Sequence, residues 1–313
     1  MKPKIYIDGR EGTTGLQIHE RLGGRDDIEL LLIDEDKRKD TAERSKLLNA
    51  ADLVFLCLPD EAAREAVSLV TNEHTRIIDC STAHRTAEGW VYGFPELTGR
   101  REQIRTAGRV ANPGCYATGF LSLVRPLVEE GVLSANAAVA CHALSGYTGA
   151  GKKAIAQYSA PDREPELDSP RHYAVTLSHK HLPEMAKIAG LERSPLFMPM
   201  ICDFPRGMVV TVPLWLDGLN GPQSVDSLRA LYAGYYKESA VVELCPGHAP
   251  ACGFIGSNNL AGKDTLQIFV NGNAEQVMLS ARLDNLGKGA SGAAVQNMNL
   301  MLGFEETKGL KIC

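Results

Sequence analysis

Cys115 stands in a sequence setting that favours a reactive thiol. It directly follows the tripeptide Asn112–Gly114, and the run that it begins, "CYATGFLSLVRPLVEEG", predicts an amphipathic helix. At a helix N-terminus the macrodipole and unpaired backbone N–H groups stabilise a thiolate, and a glycine turn can offer N–H donors to an oxyanion. The alternative is a buried, small apolar residue, which fits Cys57 and Cys80 within their strands. Cys115 is therefore the candidate nucleophile.

A thiolate nucleophile needs a partner for proton transfer, and the segment "SHKHLPEM" offers one. His179 and His181 lie two residues apart, just before Pro183 and Glu184, which are typical of the first turn of a helix. A solvent-facing loop is the alternative. The pair could also begin a metal site, but no third and fourth ligand follow at a recognisable spacing, so we expect no metal.

A glycine-rich turn near the N-terminus predicts a nucleotide site. Gly9, Gly12 and Gly15 follow a strand-like run and open a helix, where bare backbone can approach a pyrophosphate. The spacing departs from the usual Gly-x-Gly-x-x-Gly, and a simple tight turn is the alternative. Asp34 ends the second strand, where a carboxylate would select NAD, whereas the basic residues 37–39 beyond it would suit the 2′-phosphate of NADP. The residues alone leave this choice open.

The first third of the chain alternates strand and helix patterns. "KIYID", "IELLLID", "ADLVFLCLP" and "TRIIDCS" read as strands, and "ADLVFLCLP" is apolar enough for a sheet covered on both faces. Between them, "LQIHERLGG" predicts a helix with Leu16, His19 and Leu22 on one face. This alternation predicts an α/β Rossmann domain with a parallel sheet.

After Cys115 the pattern changes to longer strands. "AAVACHAL", "MVVTVPLWL" and "LQIFVNG" predict an α+β domain with a largely antiparallel sheet and no regular helices between these strands. Helical spacing returns through Ala294, Met298, Met301 and Leu302, which suit a helix that packs on the first domain. We expect a dinucleotide-binding domain of residues 1–116 plus 286–313, and a catalytic and dimerisation domain of residues 117–285.

Composition narrows the function classes. The 313 residues include 33 Lys and Arg against 38 Asp and Glu, and no basic block forms a footprint for nucleic acid or an anionic membrane. No apolar run approaches the roughly 18 residues of a spanning helix, and the N-terminus runs straight into a strand. The 8 cysteines form no Cys-x-x-Cys pair. We expect a soluble, cytoplasmic protein with reduced thiols and a small-molecule substrate.

A dinucleotide loop, a helix-capping cysteine and a histidine together suit hydride transfer to or from a thioester. With these features the sequence resembles the short-type N-acetyl-γ-glutamyl-phosphate reductase family, related to aspartate-semialdehyde dehydrogenase. Seven segments carry the resemblance in order along nearly the whole chain. They are the glycine turn at 9–15, "VFLCLPDEAARE" at 54–65, "DCSTAHR" at 79–85, "YGFPEL" at 92–97, "NPGCYATG" at 112–119, "HKHLPEM" at 179–185 and "NLGKGASGAAVQNMN" at 285–299.

The resemblance implies a role for each matching residue. Cys115 would be the nucleophile, and His179 or His181 the acid/base, with His179 preferred. The cofactor would be NADP(H), so the choice between NAD and NADP, which Asp34 and the basic residues 37–39 leave open, would fall to NADP. The residues implied for cofactor binding are Gly9, Gly12, Thr13, Thr14, Gly15, Lys37, Arg38 and Asn297, the last near the nicotinamide. Those implied for substrate binding are Ser81, Arg85, Asn112 and Arg206. "FMPMICD" lacks the histidine that long-type members carry there.

The implied reaction is the NADPH-dependent reduction of N-acetyl-L-glutamyl 5-phosphate to the 5-semialdehyde through a Cys115 thioester, in arginine biosynthesis. Three alternatives stay open. One is a related acyl-phosphate reductase acting on aspartyl or aminoadipyl phosphate, the second a cysteine hydrolase or acyltransferase without redox chemistry, and the third a nucleotide-sensing protein without catalysis. By analogy with relatives, we expect a homo-oligomer, either a dimer or a tetramer.

Overall fold

The computed structural model describes residues 2–246 and 253–313. They form two compact units, each with its own sheet. The first comprises Met1–Pro113 and Ala290–Leu310, and the second comprises Gly114–Gly289 and Lys311–Cys313. Within the described ranges, no helix has the length and apolar character that crossing a membrane requires.

The first unit is built on a parallel sheet. Its strands are β1 (Lys4–Asp8), β2 (Glu29–Leu31), β3 (Leu53–Leu56), β4 (Arg76–Asp79), β5 (Val91–Tyr92) and β6 (Arg109–Ala111). Among the described residues they lie in the order β2-β1-β3-β4-β6-β5, and all neighbours are parallel. From β1 the chain passes to β2 on one side of β1, and then to β3 on the opposite side of β1. The topological switch point, where the strand order reverses, therefore lies between β1 and β3. The expected Rossmann architecture is confirmed.

Helices cover both faces of this sheet. They are α1 (Thr13–Leu22), α2 (Thr41–Ala50), α3 (Asp60–Leu69), α4 (Arg100–Thr106) and, from the end of the chain, α9 (Gly292–Leu302). Successive residues of a strand point to opposite faces. Ile5 and Ile7 therefore pack in the cluster that includes residues of α1, α4 and α9, whereas Tyr6 packs in the cluster that includes residues of α2 and α3.

The expected inner face of α1 is partly wrong. Gly15, Ile18 and Leu22 are buried, whereas Leu16 is 46% exposed and His19 is only half-buried. The loop before the helix decides this orientation, because a Cβ at position 15 would lie 2.5 Å from a backbone oxygen of that loop. The helix must turn its glycine inward, which places Leu16 on the outer side.

The second unit contains a mixed sheet. Its strands are β7 (Ala140–Gly146), β8 (Arg171–His172), β9 (Leu196–Cys202), β10 (Met208–Trp215), β11 (Val242–Leu244), β12 (Leu266–Gly272) and β13 (Gln276–Leu283). Within the described part of the chain their order is β11-β12-β13-β10-β7-β9-β8. The pairs β11·β12 and β7·β9 are parallel and the other neighbours are antiparallel. A largely antiparallel sheet is therefore confirmed.

The expectation that no regular helices separate these long strands is wrong. The helices of the unit are α5 (Cys115–Glu129), α6 (Lys152–Tyr158), α7 (Leu182–Ala189) and α8 (Val225–Tyr235), and the last three lie between the predicted strands. They have only 7, 8 and 11 residues, too short for a clear periodic signal. Such helices depend mainly on packing, and α8 packs on β11 and β12.

The sequence predicts an amphipathic helix that begins at Cys115, and α5 does begin there, but it is a central helix. Every residue from 116 to 124 is buried. The reason is that α5 contacts β10, β12 and β13 as well as α7 and α8. Its first residue, Cys115, is therefore held on a rigid core element.

Candidate active site

The turn after β1 brings bare backbone to the start of α1. Gly9 has φ +85°, and a Cβ there would lie 2.4 Å from the carbonyl oxygen of Cys57. Only glycine allows this approach. Gly12 precedes the helix in extended conformation, and Thr13–Thr14 begin its first turn, where backbone N–H groups lack intrahelical partners. A helix end of this kind can bind a phosphate.

The loop after β2 presents charged groups to solvent. Lys37 Nζ lies 3.3 Å from Asp34 Oδ2, and Arg38 Nη1 lies 2.5 Å from Glu35 Oε1. The hydrogen bond that Lys37 donates to Asp34, together with the negative charge of that carboxylate, raises the pKa of Lys37. Arg10 of the glycine turn also reaches Glu35, at 3.7 Å. Exposed pairs of this kind are weak, so a stronger anion can compete for the three cations.

The turn after β4 is organised around a buried carboxylate. Asp79 is fully buried, and it accepts hydrogen bonds from the backbone N–H of Ser81 at 2.9 Å and from its hydroxyl at 2.8 Å. His84 Nδ1 lies 2.6 Å from the same carboxylate. Next in the chain, Arg85 donates from Nε to the backbone oxygen of Asn112 at 3.0 Å. Asp79 therefore holds the segment that carries Ser81 and Arg85.

Asn297 offers a buried acceptor in the first unit. Its Nδ2 donates to Gly93 O at 2.9 Å and to Asn112 Oδ1 at 3.2 Å. The side chain is fully buried, and its Oδ1 has no hydrogen-bond partner among the described residues. An orphaned buried acceptor is costly, and a carboxamide N–H of a nicotinamide would satisfy it. With the glycine turn, this geometry fits a dinucleotide.

These features share one edge of the sheet. Gly9 follows β1, Ser81 follows β4 and Asn112 follows β6, and these strands all run in the same direction in the sheet. In open α/β sheets, ligands bind beyond the carboxyl ends of the strands at the switch point. The first unit therefore has the form of a dinucleotide-binding site.

In the second unit, Cys115 is the first residue of α5. The N–H of Gly114 before it donates to Glu184 Oε2 at 3.2 Å, and Glu184 is 1% exposed. Gly289 lies against the cysteine, since a Cβ there would be 2.8 Å from Cys115 Cβ. Burial raises the pKa of Tyr116 well above its usual value, with smaller contributions from Tyr173 and Cys115. The backbone that carries Cys115 is thus held by a buried carboxylate and packed against Gly289.

Both predicted histidines belong to the same aromatic cluster. The ring of Tyr116 lies 5.8 Å from that of His179 and 5.9 Å from that of His181, centre to centre. His179 Nδ1 accepts the backbone N–H of His181 at 3.1 Å, and its Nε2 lies 3.3 Å from the Tyr173 hydroxyl. His181 Nε2 lies 4.0 Å from Glu184 Oε1. The residue after the cysteine therefore touches both candidate acid/base groups.

Arg206 is anchored by a buried carboxylate of the same unit. Its Nη2 lies 2.9 Å from Oδ2 of the fully buried Asp284. Asp284 also accepts the N–H groups of Leu286 and Gly262. The Nε of Arg206 is buried, and within the described chain it has no hydrogen-bond partner. A guanidinium held in this way can offer Nε to a ligand oxygen.

Two family models match the chain. The semialdehyde dehydrogenase NAD binding domain matches residues 6–107, and the semialdehyde dehydrogenase dimerisation domain matches residues 115–285.

Curated relatives match over almost the whole chain. The N-acetyl-gamma-glutamyl-phosphate reductase 2 of a Nostoc species is 48% identical over 320 residues, covering 99% of each chain. The N-acetyl-gamma-glutamyl-phosphate reductase of Sinorhizobium fredii is 50% identical over 307 residues, covering 96% of this chain and 99% of its own. The chain belongs to the N-acetyl-gamma-glutamyl-phosphate reductase family.

Solved structures agree on the fold of this family member. Aspartate semialdehyde dehydrogenase II of Vibrio cholerae superposes with a TM-score of 0.73 at 16% identity, over 97% of this chain and 99% of its own. A probable aspartate-semialdehyde dehydrogenase of Pseudomonas aeruginosa gives 0.72 at 15% identity, over 96% and 99%. At such identities the likeness shows the fold alone.

The structure places the predicted site residues of this reductase in two sets. The glycine turn, Lys37 with Arg38, the Ser81–Arg85 segment, Asn112 and Asn297 lie in the first unit, and Cys115, both histidines and Arg206 lie in the second. Their roles stay predictions.

Sequence reasoning missed the polar residues that pair with these groups or with their neighbours. They are Arg10, Asp79, His84, Glu184 and Asp284. Asp79, His84 and Glu184 lie inside quoted segments, so a signal for them was present. Arg10 lies inside the glycine turn at 9–15 as well, whereas Asp284 gave no signal, because its partner Arg206 is distant in sequence.

Proposed function

We propose that this protein reduces N-acetyl-L-glutamyl 5-phosphate to N-acetyl-L-glutamate 5-semialdehyde with NADPH, releasing phosphate, in arginine biosynthesis. The observation that carries this proposal is the 48–50% identity, over nearly the full length, to relatives named for the reductase. The aspartate-semialdehyde dehydrogenases share the fold at only 13–16% identity. N-acetylglutamyl phosphate is therefore favoured over aspartyl phosphate.

The cofactor is NADP(H), and when bound it supplies the hydride that reduces the thioester carbon. The segments 1–116 and 286–313 would form its binding domain. The N-terminus of α1, with Gly12, Thr13, Thr14 and Gly15, would hold the pyrophosphate. Arg10 would join Lys37 and Arg38 at the 2′-phosphate, because within the described residues the ion-pair partners of all three cations are exposed carboxylates of these loops.

Cys115 would form the covalent intermediate. Its thiolate attacks the acyl carbon, the C–O bond to phosphate breaks, and phosphate leaves with the bonding electrons. The position at the start of α5 stabilises the thiolate through the helix dipole. After hydride addition the thiohemiacetal collapses, the C–S bond breaks, and the semialdehyde leaves.

The two histidines would take different roles. Nδ1 of His179 accepts a backbone N–H, so the neutral ring carries its proton on Nε2 and can donate a hydrogen bond there. His181 has the buried carboxylate of Glu184 within 4.0 Å, which can balance an imidazolium. We therefore assign proton transfer to His181 and hydrogen-bond donation to His179, the reverse of the order preferred from sequence.

Cationic side chains would bind the two charged ends of the substrate. Asp284 orients Arg206 and leaves Nε as a donor, which suits the α-carboxylate. Ser81 and Arg85, on the turn held by Asp79, would bind the phosphate together with Asn112.

The second unit would also form the homo-oligomer, a dimer or a tetramer. Its sheet has an open face with exposed apolar side chains, namely Leu196, Met198, Trp215 and Met278 at 57, 39, 60 and 41% exposure. The matching family model of this region is named a dimerisation domain. Trp215→Glu should lower the mass measured by analytical ultracentrifugation. An unchanged mass would place the interface elsewhere.

NADPH formation from N-acetylglutamate semialdehyde, NADP⁺ and phosphate tests the reaction. Wild type should reduce NADP⁺ only with phosphate or arsenate present, and Cys115→Ser should be inactive. Turnover of aspartate or aminoadipate semialdehyde alone would overturn the specificity, and turnover of no semialdehyde would overturn the redox function. A cytoplasmic location stays a prediction of the sequence.

A further inference from the structure

Two free cysteines directly follow neighbouring strands of the first unit. In the β3·β4 ladder Leu56 pairs with Asp79, so the next residues, Cys57 and Cys80, are also opposite each other. The ladder hydrogen bonds continue there, because Cys80 N–H donates to Leu56 O at 2.9 Å and Cys57 N–H donates to Asp8 O at 2.8 Å. Both cysteines are therefore held in regular strand geometry.

This geometry allows a disulfide. Neighbouring strands lie about 4.8 Å apart, within the roughly 4.4–6.8 Å that a disulfide requires between Cα atoms. Both side chains pack against the same core cluster, so they point to the same face of the sheet. The neighbouring Cys80 thiol, and then burial, raise the pKa of Cys57 well above its usual value.

The pair also adjoins the glycine turn. A Cβ added at Gly9 would lie 2.4 Å from the carbonyl oxygen of Cys57, and a Cβ added at Gly12 would lie 3.5 Å from it. Cys80 in turn immediately precedes Ser81, and its carbonyl accepts a bond from Arg85 at 3.4 Å. The carbonyl of Cys57 therefore packs directly against the glycine turn, so a displacement of Cys57 can be passed on to that turn.

We propose that Cys57 and Cys80 form a reversible disulfide under peroxide, and that this modification weakens NADP(H) binding. The thiolate of one cysteine attacks the O–O bond of the peroxide, which gives a sulfenic acid and, after protonation, water. The thiol of the other cysteine then attacks that sulfur, forms the S–S bond and expels a second water. Two electrons pass from the sulfurs to the peroxide, and a thiol reductant reverses the modification.

The inference rests on the proposed cofactor site, and the experiment separates the two. The Cys115→Ser protein removes the catalytic thiol as a target, and NADPH affinity is measured by fluorescence titration in the reduced protein, after hydrogen peroxide, and after dithiothreitol. NADPH binding to the reduced protein tests the cofactor site. Peroxide should then yield a cross-linked Cys57–Cys80 peptide in non-reducing mass spectrometry and weaken NADPH binding about tenfold, reversibly, as for a typical coupling between sites.

Matched variants in the same background identify the pair. Cys57→Ser and Cys80→Ser should bind NADPH as the reduced parent does and show no response to peroxide, and Cys57→Ala serves if the serine variant folds poorly. Cys141→Ala, which removes a buried cysteine of the second unit, should keep the full response. Absence of the cross-link, or a cross-link without a change in NADPH affinity, would overturn the inference.

Reciprocity gives a second readout. A disulfide that weakens NADP(H) binding tenfold must itself become tenfold harder to form when the cofactor is saturating. The midpoint of disulfide formation, measured in glutathione buffers with and without NADP⁺, should shift by that factor. Equal midpoints would contradict the coupling.

Discussion

Replacement of Asp284 by asparagine should weaken both the fold and substrate binding. The carboxylate is fully buried, lies 2.9 Å from Arg206 Nη2, and accepts the N–H groups of Leu286 and Gly262. The asparagine side chain keeps one acceptor oxygen. Its Nδ2 is itself a donor, and it would face donors that now bind the second carboxylate oxygen of Asp284. Arg206 would also lose its counter-ion.

The expected loss of stability follows from this geometry. Breaking a buried ion pair costs about 3–5 kcal/mol when one charge is left uncompensated. Because the Arg206 side chain is 30% exposed and can gain water, we expect about 2–3 kcal/mol. With a slope of about 3 kcal/mol per M, the urea midpoint should fall by about 0.7–1 M. The KM for the acyl phosphate should rise about tenfold, the equivalent of about 1.4 kcal/mol, because Arg206 loses its orientation.

Asp203→Asn is the matched control. Asp203 also pairs with an arginine, Arg163, at 2.6 Å, but that pair is exposed on the surface of the same unit. Its removal should change the urea midpoint and the KM only slightly. If the two variants lose equal stability, or if Asp284→Asn leaves the KM unchanged, Asp284 does not anchor a substrate-binding arginine.

Three further predictions concern the cofactor, the catalytic histidines and pH. Arg10→Ala should raise the KM for NADPH about tenfold but leave that for NADH unchanged, and equal effects on both would exclude a 2′-phosphate contact. Glu184→Gln should lower kcat about tenfold to a hundredfold, part of what acid/base catalysis supplies, with NADPH affinity retained; a normal kcat would remove His181 from proton transfer. Burial, and then the charge of His172, lower the pKa of His142. Just below pH 6.5, about the ordinary pKa of histidine, the unfolded chain therefore binds more protons than the folded protein. The free energy of unfolding should fall as the pH drops through this range. His142→Gln should flatten this dependence in thermal scans, whereas the exposed His74→Gln should not.

The sequence determined the features that depend on neighbouring residues. Strand and helix alternation predicted the parallel sheet, and "KIYID" and "LQIFVNG" match β1 and β12 residue for residue. The glycine turn and the cysteine at a helix start were readable because backbone conformation and helix ends are local properties. The resemblance of seven ordered segments pointed to the family that the comparisons show.

Only the tertiary structure decided which side chains meet and which helix faces are buried. Arg206 meets Asp284 across 78 residues of chain, and Arg44 meets Asp8 across 36. The burial of α5 on all sides and the outward turn of Leu16 also follow from what packs around each helix. Periodicity reports which side chains are apolar, whereas burial and ion pairing depend on contacts between distant segments, which exist only once the sheets have assembled.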